Sequence, residues 1–151
     1  GTGSTESDFI ALHQNYNNRF IDFDEKITLL RQIFKNNGDS NSRINHWPKL
    51  EGGPPLFLGT WGKNVKTAAS NFDGWIASAH YRTTDEVINA FKRYKNEKGQ
   101  RAIVSTIQVS NNTDIGELKE KLTRFSEAGF DDAVIMFMPG APSIDSVRNL
   151  V

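Results

Sequence analysis

The chain has 151 residues, enough for one domain with a real core. Eighteen basic and 18 acidic residues give a formal net charge of zero, so nothing argues for nucleic acid or an anionic membrane as partner. Cysteine is absent, which excludes a disulfide framework, a thiolate nucleophile and a cysteine-based metal site.

Residues 1–15 are polar and turn-rich. Arg19 to Lys35 then has helical periodicity, with Phe20, Phe23, Ile27, Leu30 and Phe34 (and Ile33) forming one apolar stripe. Asn36-Asn37-Gly38 supplies the expected stop. Residues 38–55 form a long connection, a loop or small hairpin inserted in the domain, with Ile44 and Trp47 as packing points.

A repeating strand–helix order follows. Leu56 to Gly59 is a short apolar run, suited to a buried parallel strand. Lys63 to Phe72 is its helix, and Trp75 to Ala79 the next strand. Thr83 and Glu86 are spaced as a capping box, opening a helix that faces inward through Val87, Ile88, Phe91 and Tyr94 and stops at Gly99. Ala102 to Val109 is rich in β-branched residues and predicts a strand. Thr113-Asp114 starts a helix with Leu118, Leu122 and Phe125 inward, ending near Gly129. Ala133 to Met138 is the last strand, and Ser143 to Leu150 a closing helix.

Alternation of this kind implies parallel strands and an α/β fold. Closure into a barrel takes about eight strands, so four make either an open sheet or about half of a (β/α)8 barrel.

Gly59-Thr60-Trp61-Gly62-Lys63-Asn64 is the leading candidate for chemistry. A strand ends there in a glycine-bearing turn and a helix opens, so unpaired backbone N–H groups can converge on a phosphate. Thr60 and Asn64 add side-chain donors, Lys63 adds charge, and Gly59 and Gly62 let the backbone approach closely. A plain turn whose glycines serve only the bend explains the same residues. Ser78, Ala79 and His80 end the following strand. His80 could hydrogen-bond a ligand or exchange protons near neutral pH, though a lone histidine at a strand end more often has a structural role. Gln108 and Ser110 are weaker candidates, and Met136, Phe137 and Met138 suit packing. The carboxylates Asp22, Asp24, Glu25, Asp131 and Asp132 have no spacing for an acid–base pair or a metal cage, and no metal is assigned. No apolar run is long enough to span a membrane and no signal peptide is visible, which makes a cytoplasmic protein the default expectation.

Three collinear segments resemble bacterial-luciferase-like flavin monooxygenases. The first is Gly1-Thr-Gly-Ser-Thr-Glu-Ser-Asp-Phe9 with Asn17-Asn-Arg19 and the helix Phe23 to Phe34. The second runs from Pro54-Pro-Leu-Phe-Leu-Gly-Thr-Trp-Gly62 through Ala68-Ala69 to Asp73-Gly-Trp75. The third is Phe125-Ser-Glu-Ala-Gly-Phe-Asp-Asp-Ala-Val134. The resemblance implies that residues 1–151 are the second half of a TIM barrel, from the end of strand four through helix eight. The absence of an initiator Met and the opening Gly1-Thr-Gly-Ser then read as a fragment, catalytically dead alone and with apolar edges exposed.

The same resemblance implies an oxidoreductase that uses reduced flavin and O2 to oxidise a small organic substrate. FMN is the expected cofactor, with the loop from Gly59 to Asn64 on its phosphate. Thr2 stands where some relatives place an arginine that reaches this phosphate, and Ser78 would line the cofactor site. Trp61 stands where relatives often have Ser or Gly, and could stack on the cofactor or cover the barrel mouth. A separate flavin reductase and a homodimer are expected partners. The alternatives are an enzyme using coenzyme F420 for hydride transfer on the same scaffold, a non-catalytic flavin-binding protein, and an unrelated doubly wound domain for a phosphorylated ligand. Sheet order separates the last, because a doubly wound sheet reverses at a switch point.

Overall fold

A computed structural model describes residues 1–36, 38, 52–148 and 150. The expected packing points Ile44 and Trp47, and most of the 38–55 connection, lie outside the described residues. The chain divides into two units, Gly1–Pro54 and Pro55–Val151.

The first unit is helical. Helix α1 spans Glu6–Ala11 and α2 spans Arg19–Asn36, joined through a 3-10 turn at Tyr16–Asn18. The sequence reading has no helix before Arg19 and expects strand-end geometry at Gly1 to Ser4. Residues 1–5 are instead irregular and lead directly into α1. The cause is local: Asp8 N–H bonds the Thr5 carbonyl, and Phe9 packs edge-on against Tyr16 with ring centroids 5.4 Å apart. Helix α2 matches its periodicity, yet no residue in it is buried, and Phe20 is 48% exposed. Its end is as expected: Gly38 N–H donates to the Ile33 carbonyl at 2.9 Å.

The second unit is α/β. Strands β1 (Phe57–Gly59), β2 (Gly74–Ser78), β3 (Arg101–Val109) and β4 (Asp132–Phe137) form one sheet. They lie in the order β1-β2-β3-β4, every pair parallel. Helices α3 (Val65–Asn71), α4 (Thr84–Asn96), α5 (Ile115–Ala128) and α6 (Ile144–Arg148) alternate with or follow them. A 3-10 turn at Gly62–Asn64 replaces the expected first turn of the Lys63 helix.

Side chains alternate across the sheet. Leu58, Trp75, Ala77, Ala102, Val104, Ile107 and Val109 share one face by register and are all buried. Val65 and Ala68 of α3, Val87, Phe91 and Tyr94 of α4, and Leu118, Leu122 and Phe125 of α5 complete this core. The alternate residues Phe57, Ile76, Ser78, Ile103 and Ser105 are only half-buried. Hydrophobic burial has therefore been completed on one face of a parallel sheet, a class normally covered on both.

Trp75 is the hub of the core. It is fully buried, and its ring lies near Trp61, Tyr94 and Phe130 at centroid distances of 5.6, 5.3 and 6.3 Å. Its Nε1 donates to the Thr60 carbonyl at 2.8 Å, so the indole carries no orphaned donor. Beneath it the Tyr94 hydroxyl donates to the Arg101 carbonyl at 3.0 Å, and burial raises the phenol pKa.

Helix boundaries follow their caps. Thr83 and Glu86 form the predicted capping box in full. Asp114 caps α5 with bonds to Gly116 and Glu117 N–H at 2.7 and 3.0 Å, and Gly129 closes that helix at φ +98°. Strand β3 holds one irregularity: register shifts between Val104 and Ile107, and Thr106 there has φ +60°. A β-branched residue in that region is strained. The bulge leaves both Ser105 and Thr106 half-buried, with their hydroxyls 3.3 Å apart.

Two outcomes test this packing. Trp75→Ala should lower unfolding stability by about 3–5 kcal/mol, and Trp75→Phe by about 1–3 kcal/mol because the Thr60 carbonyl loses its donor. Urea titration followed by far-UV circular dichroism reads both. The second concerns pH. Thr83 N–H donates to Glu86 Oε2 at 2.8 Å and holds the Glu86 carboxyl below the usual carboxylate range. A depressed carboxyl pKa stabilises the fold above the unfolded value of 4.5, and that contribution is lost as pH falls through the folded pKa. Glu86→Gln should flatten this acid limb of the stability–pH curve, and an unchanged limb would refute the assignment.

Candidate functional site

The segment after β1 is set by its anchor. Because the Thr60 carbonyl accepts the Trp75 indole N–H, the chain leaving Gly59 turns toward the helix-covered face. Trp61 follows and packs edge-on against Trp75, the rings at 80°. The chain then enters the turn Gly62–Asn64, where Asn64 N–H bonds the Trp61 carbonyl at 3.3 Å. Neither Trp61 nor Asn64 caps the following turn with its side chain.

Gly62 has φ +63°, a conformation that L side chains rarely adopt. A Cβ at Gly62, and equally at Gly59, would meet nothing within 4 Å. The glycines thus border open space and are not needed to relieve packing.

A cleft of about 250 Å3 opens beside this turn. Gly62, Lys63 and Lys66 line one side, and Arg93, Asn96 and Glu97 from the end of α4 line the other. Lys66 pairs with Glu97 at 3.3 Å, with both side chains largely exposed, so that pair contributes little to stability. Lys63 and Arg93 leave the cleft an excess of positive charge. Arg82, from the loop after β2, lays its guanidinium over the Trp61 ring at 5.0 Å. That loop also holds His80 and Tyr81, rings 3.8 Å apart, with Tyr81 84% exposed.

The structure gathers Gly59, Thr60, Trp61, Gly62, Lys63 and Asn64 into one turn and separates Ser78 from them. Ser78 alternates onto the half-buried face of the sheet, opposite the face that carries Trp75. There it neighbours Ser105 in register, and its Oγ accepts from His80 N–H at 3.4 Å. Thr2 belongs to the first unit, where its hydroxyl donates to the Gly3 carbonyl at 3.4 Å. It borders a cleft of about 380 Å3 that also includes Arg19 and Lys26.

Other candidates have structural work. Ser110 N–H donates to Thr113 Oγ1 at 2.8 Å, bracing the entry to α5. Asp131 accepts from Ala102 N–H at 2.8 Å, and Asp132 pairs with Arg101 at 2.7 Å. Met136, Phe137 and Met138 are not packed as their apolar character suggests: they are 44%, 37% and 37% exposed, because β4 is an edge of the sheet. Among the described residues no group of three or more His, Asp or Glu side chains is placed to hold a metal. Nor is any described helix long and apolar enough to cross a membrane.

Sequence reasoning missed Arg82 and Arg93. Arg82 follows His80-Tyr81 and immediately precedes the cap Thr83, a position at a strand's C-terminal end that could have been read. Arg93 lies well along α4, and only the packing of α4 on α3 brings it to Gly62.

No protein-family model matches the chain, and no curated protein matches it. What the site can do follows from its residues: open backbone at two glycines, an adjacent cationic cleft and an aromatic platform under a guanidinium.

Arg82→Ala should leave Trp61 more solvated. Its emission, isolated by difference against Trp61→Phe, should shift to the red, with a stability loss of about 0.5–1 kcal/mol for an exposed cation–π contact. No shift would show that Arg82 does not hold the indole.

Proposed function

We propose that this chain is the phosphate-holding part of a flavin-dependent oxidoreductase of the luciferase-like class, built on a (β/α)8 barrel to which it contributes the second half. The observation that carries the reading is Gly62. It sits at positive φ and faces open space, at the turn after the first of four sequentially ordered parallel strands. Sequential order is what a barrel segment has, and it disfavours the doubly wound alternative, whose order reverses.

The residues present fit a phosphate monoester. Gly59 and Gly62 leave room for backbone approach, and Lys63 and Arg93 supply charge beside the turn. A guanidinium suits the fork geometry of phosphate, and a lysine acts as a point charge. FMN, when bound, would supply the redox chemistry with O2 on a small organic substrate. This chain's residues would hold the phosphate tail and orient the ring. Trp61, fixed between Trp75 and Arg82, would serve as a rigid wall. Ser78 remains a proposed contact, from the other face of the sheet. In this reading a separate flavin reductase would supply reduced cofactor in the cytoplasm.

Titration with FMN, riboflavin and coenzyme F420, read by quenching of Trp61 emission, tests the reading. FMN should bind at least about tenfold more tightly than riboflavin, a difference of about 1.4 kcal/mol that belongs to the phosphate. Tighter binding of F420 than of FMN would favour hydride transfer on the same scaffold. Gly62→Asn keeps a residue that tolerates positive φ, whereas Gly62→Asp adds a like charge in the same conformation. The Asp variant should lose about tenfold or more in FMN affinity relative to Asn. Equal affinities would remove the phosphate from this turn.

A further inference from the structure

We infer that Glu97 is the specificity-determining residue of the cleft beside Gly62, setting its charge so that it takes one phosphate dianion and turns away polyphosphates. The inference rests on the phosphate part of the reading above and not on the flavin. Its test uses inorganic anions, so the two fail separately.

The charges of the lining carry the argument. Lys63 and Lys66 border the cleft on one side, Arg93 and Glu97 on the other. Three cations and one carboxylate leave it a charge of +2. A phosphate monoester carries about −1.5 to −2 at pH 7, so one such group neutralises the cleft. Glu97 has a choice of cation. Arg93 lies one turn earlier on α4, at the i, i+4 spacing that makes helix neighbours, and Lys66 lies across the cleft on α3. Glu97 pairs with Lys66, at 3.3 Å. Among the described residues, neither Lys63 nor Arg93 is within ion-pair distance of a carboxylate. The carboxylate therefore occupies one cation and leaves two for a ligand.

Size and exposure agree with this role. The cleft, about 250 Å3, is smaller than the roughly 300–1,000 Å3 of a pocket that takes a whole ligand, so it suits an end group. The side chains of Lys66 and Glu97 are 69% and 42% exposed, so their pairing is weak and yields readily to a bound anion. Glu97 then acts on that anion by repulsion, which grows with the anion's charge. One charge pair shifts an equilibrium about fivefold at about 4 Å, and about threefold at about 6 Å, even at the dielectric of water. A second phosphate adds charge and finds no further cation in the lining. Asn96, the remaining polar side chain there, offers an amide without charge.

Glu97→Gln keeps the shape of the side chain and removes its charge. Isothermal calorimetry on the full chain, with inorganic phosphate and with pyrophosphate at neutral pH and low salt, reads the effect. At about threefold per ligand charge, phosphate affinity should rise about fivefold and pyrophosphate affinity about twentyfold. Both gains should vanish at about 1 M salt, where the Debye length is about 3 Å. Glu127→Gln removes an exposed carboxylate of α5 and changes the net charge equally, and it should leave both affinities unchanged. Both substitutions are at exposed positions and should leave the circular dichroism unaltered. Equal gains for the two anions overturn the inference, as do unchanged affinities, gains that persist at high salt, the same gains in Glu127→Gln, or no binding of either anion. FMN bound no more tightly than riboflavin would strike the flavin reading alone.

Discussion

The hydrogen bond from the Trp75 indole to the Thr60 carbonyl, 2.8 Å long, couples the core of the second unit to its candidate site. A buried tryptophan needs a partner for its single donor. The partner here is backbone, and it belongs to the residue that leaves β1. One interaction thereby satisfies the largest core side chain and fixes the path of the following turn. Trp61 can then reach Trp75, Arg82 can reach Trp61, and Gly62 is carried out beside the end of α4. The loop conformation is a consequence of core packing, so a substitution at Trp75 acts on stability and on the turn together.

The two faces of the sheet divide the chemistry. The helix-covered face has a dry core and, at its margin, a cationic cleft around Gly62. At its C-terminal end the other face holds uncharged polar groups: Ser78, Ser105 and Gln108 alternate onto it, and the bulge at Thr106 keeps that alternation from continuing unbroken. A positive φ at a β-branched residue costs about 1–3 kcal/mol and persists only where the surroundings enforce it. In β3 the enforcement comes from both ends, since Val104 and Ile107 each need the buried face while an extra residue lies between them.

Much of the second unit was legible in the sequence. Apolar runs bounded by turn residues mark all four strands, and Thr83 with Glu86 and Asp114 fix two helix starts within a residue. These signals are local, and the structure keeps them because tertiary contacts point the same way. What was not legible depends on contacts distant in sequence. Helix α1 is only six residues long and is held by the Phe9–Tyr16 contact, which periodicity does not register. The exposure of Met136 to Met138 follows from β4 being an edge, a fact of strand order and not of composition. Within the site, the glycine turn could be read from spacing, whereas Arg93 is contributed by the packing of one helix on another.

The same division bears on how a phosphorylated, ring-bearing ligand would lie. Charge is available beside Gly62 and neutral hydrogen-bonding groups are available near Ser78, on opposite faces of the sheet. β1 is the shortest strand, three residues long, and ends at the level of Ile76, below the C-terminal end of β2. A short edge strand leaves a gap above Gly59, where a Cβ would meet nothing. An extended ligand would use that gap to pass from the charged side to the neutral side without crossing a packed layer. In the proposed reading, Gly59 is then needed less for the bend than for passage. The rigid Trp61, pinned by Trp75 on one side and by Arg82 on the other, borders the route. The electrostatics favour the same orientation, since a phosphate is stabilised by Lys63 and Arg93, while an uncharged ring loses little by leaving them for hydroxyl and amide partners.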